Sequence, residues 1–542
     1  MTCSVSRTAA FIALCLLLSS TTARANRLCG YTRKYRNVPN PAEPVATSYC
    51  GGPGTEYLAA ATFQPDGSIV AGGTALSAPL MIGRAVQAEV IGRDSAEPLF
   101  DTEAISKLSG RSQRGHLTWT HPNATPFLVR FSADLQDVLY AVRLPWRSGC
   151  ITDMATDKAG NVYIAGMAGE TIGRAGAVKD VSAEDPCETT AYIAKISPDL
   201  KKLLWLRTFT DAGKGPKVRI NDKGEIGAEG GWLYVFNARG DVTHVTKLQK
   251  VNKWVRAVDP RDHSYALGGE RFWGTGREPW RDPRLQLGLP EKNYQMYLWP
   301  GPLAGLNSLR LVSDSSVRKL HIGDDGLLYI IGWSDGGNSC FLREPCDIRR
   351  WIAHKGLQLS AWGVGATSFC HLLKIDPVAA RVRGYTLWCA FRGSDGAPNG
   401  LNASIMRPAT DGSICIAGGS AFGLLQTGNT LHKGDPGGSY ISVFETDFSC
   451  LRFSSILPAC GAAQVTHRNS YGIATGIANG RHLAVYVTGA RREGNTYSTG
   501  PHPAPTLKPF QPEFGGGITD GWIGLIDLGA AIGAEADDAA ED

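Results

Sequence analysis

Most of the motifs that announce a reaction are missing from this chain of 542 residues. Its 11 histidines are scattered singly, with no HExxH pair and no phosphate-cradling loop ending in GK[ST]. None of its 13 cysteines forms CxxCH or a paired CxxC set, so attached haem and a structural zinc both lack their ligand spacing. A strong excess of one charge is also missing. The 55 basic and 50 acidic side chains leave +5, too even to suggest nucleic acid as the main partner, since a phosphate-binding surface needs a concentrated basic stripe. After the first residues no apolar run approaches the roughly 20 residues that span a bilayer. The sequence therefore predicts no transmembrane anchor, no cofactor and no metal.

The N-terminus is predicted to be an export signal. Arg7 lies in a short basic region, Ala9 to Leu18 is apolar, and Ala23 and Ala25 in "SSTTARA" suit cleavage near Ala25. Residues 1–25 are thus expected to be removed, placing the chain outside the cell or in the periplasm or envelope. Eleven cysteines and a near-neutral charge remain. In an oxidising compartment such cysteines can pair, and an odd number leaves at least one free.

What the sequence has in abundance is glycine, 65 residues, in a recurring pattern. "GSIVAGG" (Gly67 to Gly73), "GNVYIAG" (Gly160 to Gly166), "GEIGAEG" (Gly224 to Gly230), "GLLYIIG" (Gly326 to Gly332) and "GSICIAG" (Gly412 to Gly418) repeat one six-residue step. "HSYALGG" (His263 to Gly269) and "LAVYVTG" (Leu483 to Gly489) keep only the second Gly. Asp66, Asp157, Asp222, Asp325 and Asp411 precede the first Gly by one to three residues. A short carboxylate there can hydrogen-bond its own turn while Gly takes a positive φ. With no convergent partners in sight, these aspartates are expected to shape turns and not to bind metal.

Flanking segments repeat as well. Strands such as "YLAAATF" and "VRKLHI" come before the step, "FLVRFS", "YIAKIS" and "HLLKID" after it, and "LYAVRL" or "LLWLRTF" last. Four short antiparallel strands per unit, repeated seven times, predict an all-β chain forming one seven-bladed β-propeller over residues 44–528. Irregular units starting at 224 and 263 leave six blades as the other count. Residues 26–43 form an N-terminal segment, and 529–542 an acidic tail expected to be disordered. "ATDKAGNVYIAGMAG…AYIAKISPDLKKLLWLRTF" resembles the bacterial seven-bladed propeller repeat of secreted proteins. That resemblance implies the fold and no shared catalytic motif.

The last unit lacks a fourth strand of its own. Pro44 to Cys50, "PVATSYC", reads like the final strand of other units, so the N-terminus is expected to complete the last sheet. Six of seven connections between second and third strands are long, and loops on a rigid scaffold usually carry binding residues. The insertion after Gly269 sets Trp273, Trp280 and Tyr294 among Arg277 and Arg281, and a second one holds Arg349, Arg350 and Trp351. Such mixtures can stack on sugar rings and hold acidic groups. The simpler reading is that the aromatics pack their loops onto the sheet and the arginines snorkel. Cys340 with Cys346, and Cys370 with Cys389, are the candidate disulfides.

The expectation is a monomeric, non-enzymatic binding or scaffold protein for protein or polysaccharide partners. The alternative is a hydrolase or lyase acting on a polysaccharide or lactone at the channel mouth. Convergent carboxylates or histidines would favour the enzyme.

Overall fold

The computed structural model describes residues 40–76, 81–82, 86–87, 89–90, 124–146, 149–168, 190–210, 216–220, 224–229, 232–247, 254–259, 263–268, 315–323, 325–334, 343–344, 347–351, 369–376, 381–391, 398–434, 436–448, 450–460, 471–491 and 503–531. The predicted leader and most of the acidic tail lie outside them. Among the described residues every regular element is a strand, so no helix is long and apolar enough to cross a membrane.

Each repeat unit builds a sheet in which consecutive strands pair. Glu56–Phe63, Ile69–Ala75, Thr125–Phe131 and Val138–Arg143 form the first, with Glu89–Val90 added in parallel at its edge. The second is Gly149–Thr156, Val162–Ala168, Thr190–Ile196 and Leu203–Thr210, and the third Lys217–Ile220, Ile226–Glu229, Trp232–Phe236 and Val242–Lys247. The fourth unit contributes the hairpin Trp254–Asp259 and His263–Gly268. Ser315–Ile322, Leu328–Ser334, Phe369–Asp376 and Arg381–Trp388 make the fifth; Leu401–Pro408, Ile414–Ser420, Gly438–Phe444 and Leu451–Leu457 make the sixth. In the seventh, Gly472–Ala478, Arg481–Arg491 and Thr519–Ala530 are joined by Glu43–Cys50, which pairs antiparallel with Thr519–Ala530 from Glu43 opposite Asp527 to Cys50 opposite Gly521. The N-terminal strand is therefore the fourth strand of the last sheet.

The two glycines of the repeat do different work. The first sits in the tight turn at positive φ, 84° at Gly160, where a side chain would strain the backbone. Asp157 Oδ1 closes that turn by accepting from the amides of Ala159 and Asn161 at 3.0 and 2.8 Å. The second glycine stands opposite a β-bulge in the preceding strand. A Cβ on Gly73 would lie 2.0 Å from the Tyr57 carbonyl oxygen, where the register slips between Leu58 and Ala60. Gly418 repeats this against Asn402 at 1.9 Å. The motif thus marks a turn and a bulge six residues apart.

The turn aspartates also acquire basic partners. Asp66 pairs with Arg130, Asp157 with Lys195 at 3.6 Å, Asp325 with Lys374 at 3.8 Å and Asp411 with Arg452 at 2.6 Å. The turn between third and fourth strands carries a second recurrence. Leu135, Leu200 and Phe448 take φ of 61°, 61° and 62° and are fully buried. An unfavourable left-handed backbone is held there because it drives a large apolar side chain into the core.

Sheet faces are covered by neighbouring sheets. Separate apolar clusters lie between the seventh and first sheets (Leu58, Val485, Ile523), first and second (Val70, Ile164, Tyr192), second and third (Tyr163, Ile226, Phe236), fifth and sixth (Trp388, Ile416, Phe444), and sixth and seventh (Ile441, Tyr486, Trp522). First strands of neighbouring sheets pack on one another in the same sequence, and those of the fourth and fifth sheets do so too. Face-to-face packing of small sheets, each too thin to hold a core of its own, makes this a propeller-like all-β fold.

Cys370 and Cys389 correct one expectation. Both are buried, and they do not bond to each other. The register sets Trp388, and not Cys389, opposite Cys370. The Cys370 sulfur instead accepts from the Ala403 amide at 3.0 Å, in the next sheet. Cys340 and Cys346 lie outside the described residues.

Candidate functional site

Most of the residues singled out in the long insertions cannot be placed. Trp273, Arg277, Trp280, Arg281 and Tyr294 lie outside the described residues. Arg349, Arg350 and Trp351 lie on the strand Asp347–Trp351, which pairs with Arg343–Glu344; their side chains are outside the described set.

The described charges converge elsewhere, on the first strands of the sheets. Arg219, His321 and Arg407 each occupy the next-to-last position of a first strand, in Lys217–Ile220, Ser315–Ile322 and Leu401–Pro408. These strand ends lead into the tight turns, away from the long insertions. One row earlier stand Asp153 and Lys217.

Arg219 is the centre of the group. Its Nη1 donates to Asp153 Oδ2 at 3.0 Å and to the Val218 carbonyl at 2.8 Å, while Nη2 lies 3.3 Å from His321 Nδ1. Asp153 Oδ2 also accepts from the Val218 amide at 3.2 Å, and Thr152 Oγ1 donates to the Pro216 carbonyl at 2.6 Å. Two adjoining residues thus tie the second sheet to the third and fix the guanidinium. Its reach to His321 links the third sheet to the fifth.

That contact decides the state of the imidazole. A guanidinium only donates, so His321 Nδ1 must accept and the ring proton belongs on Nε2. Burial pushes the imidazole well below its ordinary pKa, and the nearby charges of Arg407, Arg219 and Lys217 push it further. His321 is neutral near pH 7. Its available nitrogen lone pair is already engaged, so it serves as a fixed N–H donor and not as a base. Among the described residues Nε2 has no partner.

The arrangement is a cationic constellation around one imidazole donor, with Asp153 as the carboxylate that holds Arg219 in place. Such a group suits an incoming anion. It lacks the convergent carboxylates that acid-base hydrolysis would use, and no group of three or more His, Cys, Asp or Glu among the described residues could hold a metal ion. Sequence reasoning missed this site because its members lie in unremarkable strands spread along the chain from Asp153 to Arg407. The available signal was their shared position near the ends of first strands.

No protein family and no curated protein matches the chain. Among solved structures it is similar to Sqt1 from Chaetomium thermophilum, at 10% identity over 90% of this chain and 99% of that one, with a TM-score of 0.32. A europium-containing methanol dehydrogenase is similar at 8% identity, covering 85% of this chain and 87% of the other, TM-score 0.31. Quinohemoprotein alcohol dehydrogenase from Comamonas testosteroni follows at 10% identity and TM-score 0.24, with 75% of this chain covered and only 57% of that enzyme. This chain therefore matches less than two thirds of the Comamonas enzyme's length. No function is carried across at these scores.

Proposed function

We propose that the chain is an exported seven-bladed β-propeller that binds a carboxylate-bearing polysaccharide, or a fragment of one, without transforming it. The blades close into a ring, the fourth unit taking its place between the third and fifth sheets, and first strands line a central channel. Ring closure draws support from the sequential packing of first strands and from the N-terminal strand that completes the last sheet. Arg219, Arg407 and Lys217 then face the channel around His321, whose imidazole feels the charge of all three, and an acidic sugar carboxylate is the ligand group that such a positive field would draw in.

One observation carries the choice of binding over catalysis: Arg219 occupies Nδ1 of His321, leaving the imidazole as a donor. A lyase or hydrolase would need a free base at that place.

Titration calorimetry with a soluble polyuronate, beside a neutral glucan of similar length, tests the proposal. The polyuronate should bind and the glucan should not. Arg407→Gln should weaken binding by roughly ten-fold or more, the worth of one charge-assisted contact. Equal binding of both polymers, or undiminished binding by the variant, would overturn the reading.

A further inference from the structure

The end of the closing strand holds a second arrangement that the anion site does not use. Glu56 and Asp520 are both fully buried, one at the start of the first sheet and the other on the last sheet. A Cβ placed on Gly51 would stand 2.7 Å from Asp520 Oδ1 and 3.0 Å from Glu56 Oε2. The two carboxyls therefore meet over the glycine that follows Cys50.

Each is held by backbone. Glu56 Oε2 accepts from the Gly52 amide at 3.1 Å. Asp520 Oδ2 accepts from the Gly515 amide, with the Gln511 side-chain amide at 3.5 Å. Gln511 in turn grips the closing strand: its Oε1 accepts from Gly51 N at 3.1 Å, and its backbone exchanges hydrogen bonds with Ser48 Oγ. Asp520 Oδ1 has no hydrogen-bond partner among the described residues. A buried carboxylate with an oxygen unpaired is expensive unless something neutralises it.

A calcium ion is a poor fit. It would need six to eight oxygens at bonding distance, whereas two carboxylates crowd against the Gly51 α-carbon and no third acid, His or Cys completes a metal-binding group among the described residues. For Asp520, whose Oδ1 is unpaired and which no basic side chain relieves, the remaining neutraliser is a proton.

We propose that Asp520 and Glu56 form a proton-operated latch, which holds the N-terminal strand Glu43–Cys50 in the last sheet while Asp520 is protonated and loosens it when Asp520 ionises. The groups around Asp520 agree with this. Burial pushes its carboxyl up to about 7, against the partial relief of the Gly515 and Gly516 amides, and no basic side chain contributes. Cys50 and Tyr49 on the closing strand are each pushed upward, chiefly by burial; Asp520 adds to both shifts and Glu56 to that of Cys50. With the strand released, Asp520 returns to the ordinary carboxylate range near 4, so the stabilisation of the closed form is fully present below about pH 4 and is lost progressively as pH rises to about 7.

Hydrogen exchange of the backbone amides in 43–50, corrected for the intrinsic pH dependence and compared with the sixth sheet, tests the latch. Protection of the closing strand should fall by up to about ten-fold per pH unit between pH 5 and 7 and level off above that. Asp520→Asn should abolish this dependence and leave the strand protected at pH 8. Glu56→Gln, should the first variant fold poorly, should move the fall to lower pH, because a neighbouring carboxylate can only raise the carboxyl of Asp520 and its removal lowers the pH at which the latch ionises. Protection independent of pH, or an unchanged dependence in both variants, would overturn the proposal. So would recovery of protection at pH 8 on adding calcium, which would identify a metal clasp instead.

Discussion

Replacing Arg452 by methionine is the sharpest test of how neighbouring sheets are joined. Arg452 lies in the sixth sheet with its side chain only 8% exposed. Nη1 donates to Asp411 Oδ2 at 2.6 Å, Nε to the Asn40 carbonyl at 3.0 Å and Nη2 to the Leu528 carbonyl of the seventh sheet. Glu445 stands a further 3.8 Å away. Arg452→Met keeps most of the aliphatic stem but strands a buried carboxylate and two carbonyls. Breaking a buried pair from one side costs about 3–5 kcal/mol, and the part-exposed Glu445 should add little. We expect roughly 3 kcal/mol from equilibrium urea unfolding. Asp411→Asn keeps the turn cap, since the Asn carbonyl can accept from the Ser413 amide as Asp411 Oδ1 does now at 3.0 Å. It should cost roughly 1–2 kcal/mol, and the double variant should fall short of the sum by at least about 1 kcal/mol, because the second change removes the charge the first left stranded. A loss under about 1 kcal/mol for Arg452→Met would refute the claim that this buried arginine ties the sixth sheet to the Leu528 carbonyl of the seventh, and strict additivity would refute its pairing with Asp411.

Leu200→Ala should destabilise by about 2–4 kcal/mol in the same assay, because a fully buried side chain is lost while the left-handed backbone remains; a change within about 0.5 kcal/mol would mean the turn carries no core weight. Gly160→Ala places a Cβ at φ 84° and 3.3 Å from Pro198, and should cost about 1–2 kcal/mol by thermal unfolding. His321 is held neutral below its ordinary pKa of about 6.5, so the unfolded chain binds a proton there that the folded chain does not. Stability should therefore fall as pH drops below about 6.5, and His321→Gln should flatten this part of the profile; an unchanged slope would contradict the cationic setting described for the imidazole.

How much of this was legible depended on whether the signal was local. Asp157 and Gly160 lie three residues apart and define their turn without help from the rest of the chain, so the repeat, the hairpins and the closing strand could be read directly. Gly73 and Gly418 were visible as glycines, but their reason, a bulged neighbour pressing its carbonyl on the α-carbon, exists only once strands pair. Leu135 and Leu200 follow Ser-x-Asp in both third-to-fourth turns, a recurrence that could have pointed to the left-handed leucine. Arg219, His321 and Arg407 had no such clue: each belongs to an ordinary strand, and only alignment of first strands by their ends brings them into one row. Cys370 and Cys389 looked bridgeable as neighbours in a hairpin, yet register placed Trp388 opposite Cys370 instead. Asp520 and Glu56, 464 positions apart, meet because the last sheet borrows its fourth strand from the N-terminus.

The central claim, an anion site built from first-strand ends, is tested most directly by following the His321 ring nitrogens by NMR across a pH titration, with and without a polyuronate. An anion seated beside Arg219 and Arg407 opposes the charges that depress the imidazole, so its pKa should rise on binding while Nδ1 remains the acceptor. An identical titration curve in the presence of saturating polymer would contradict the account.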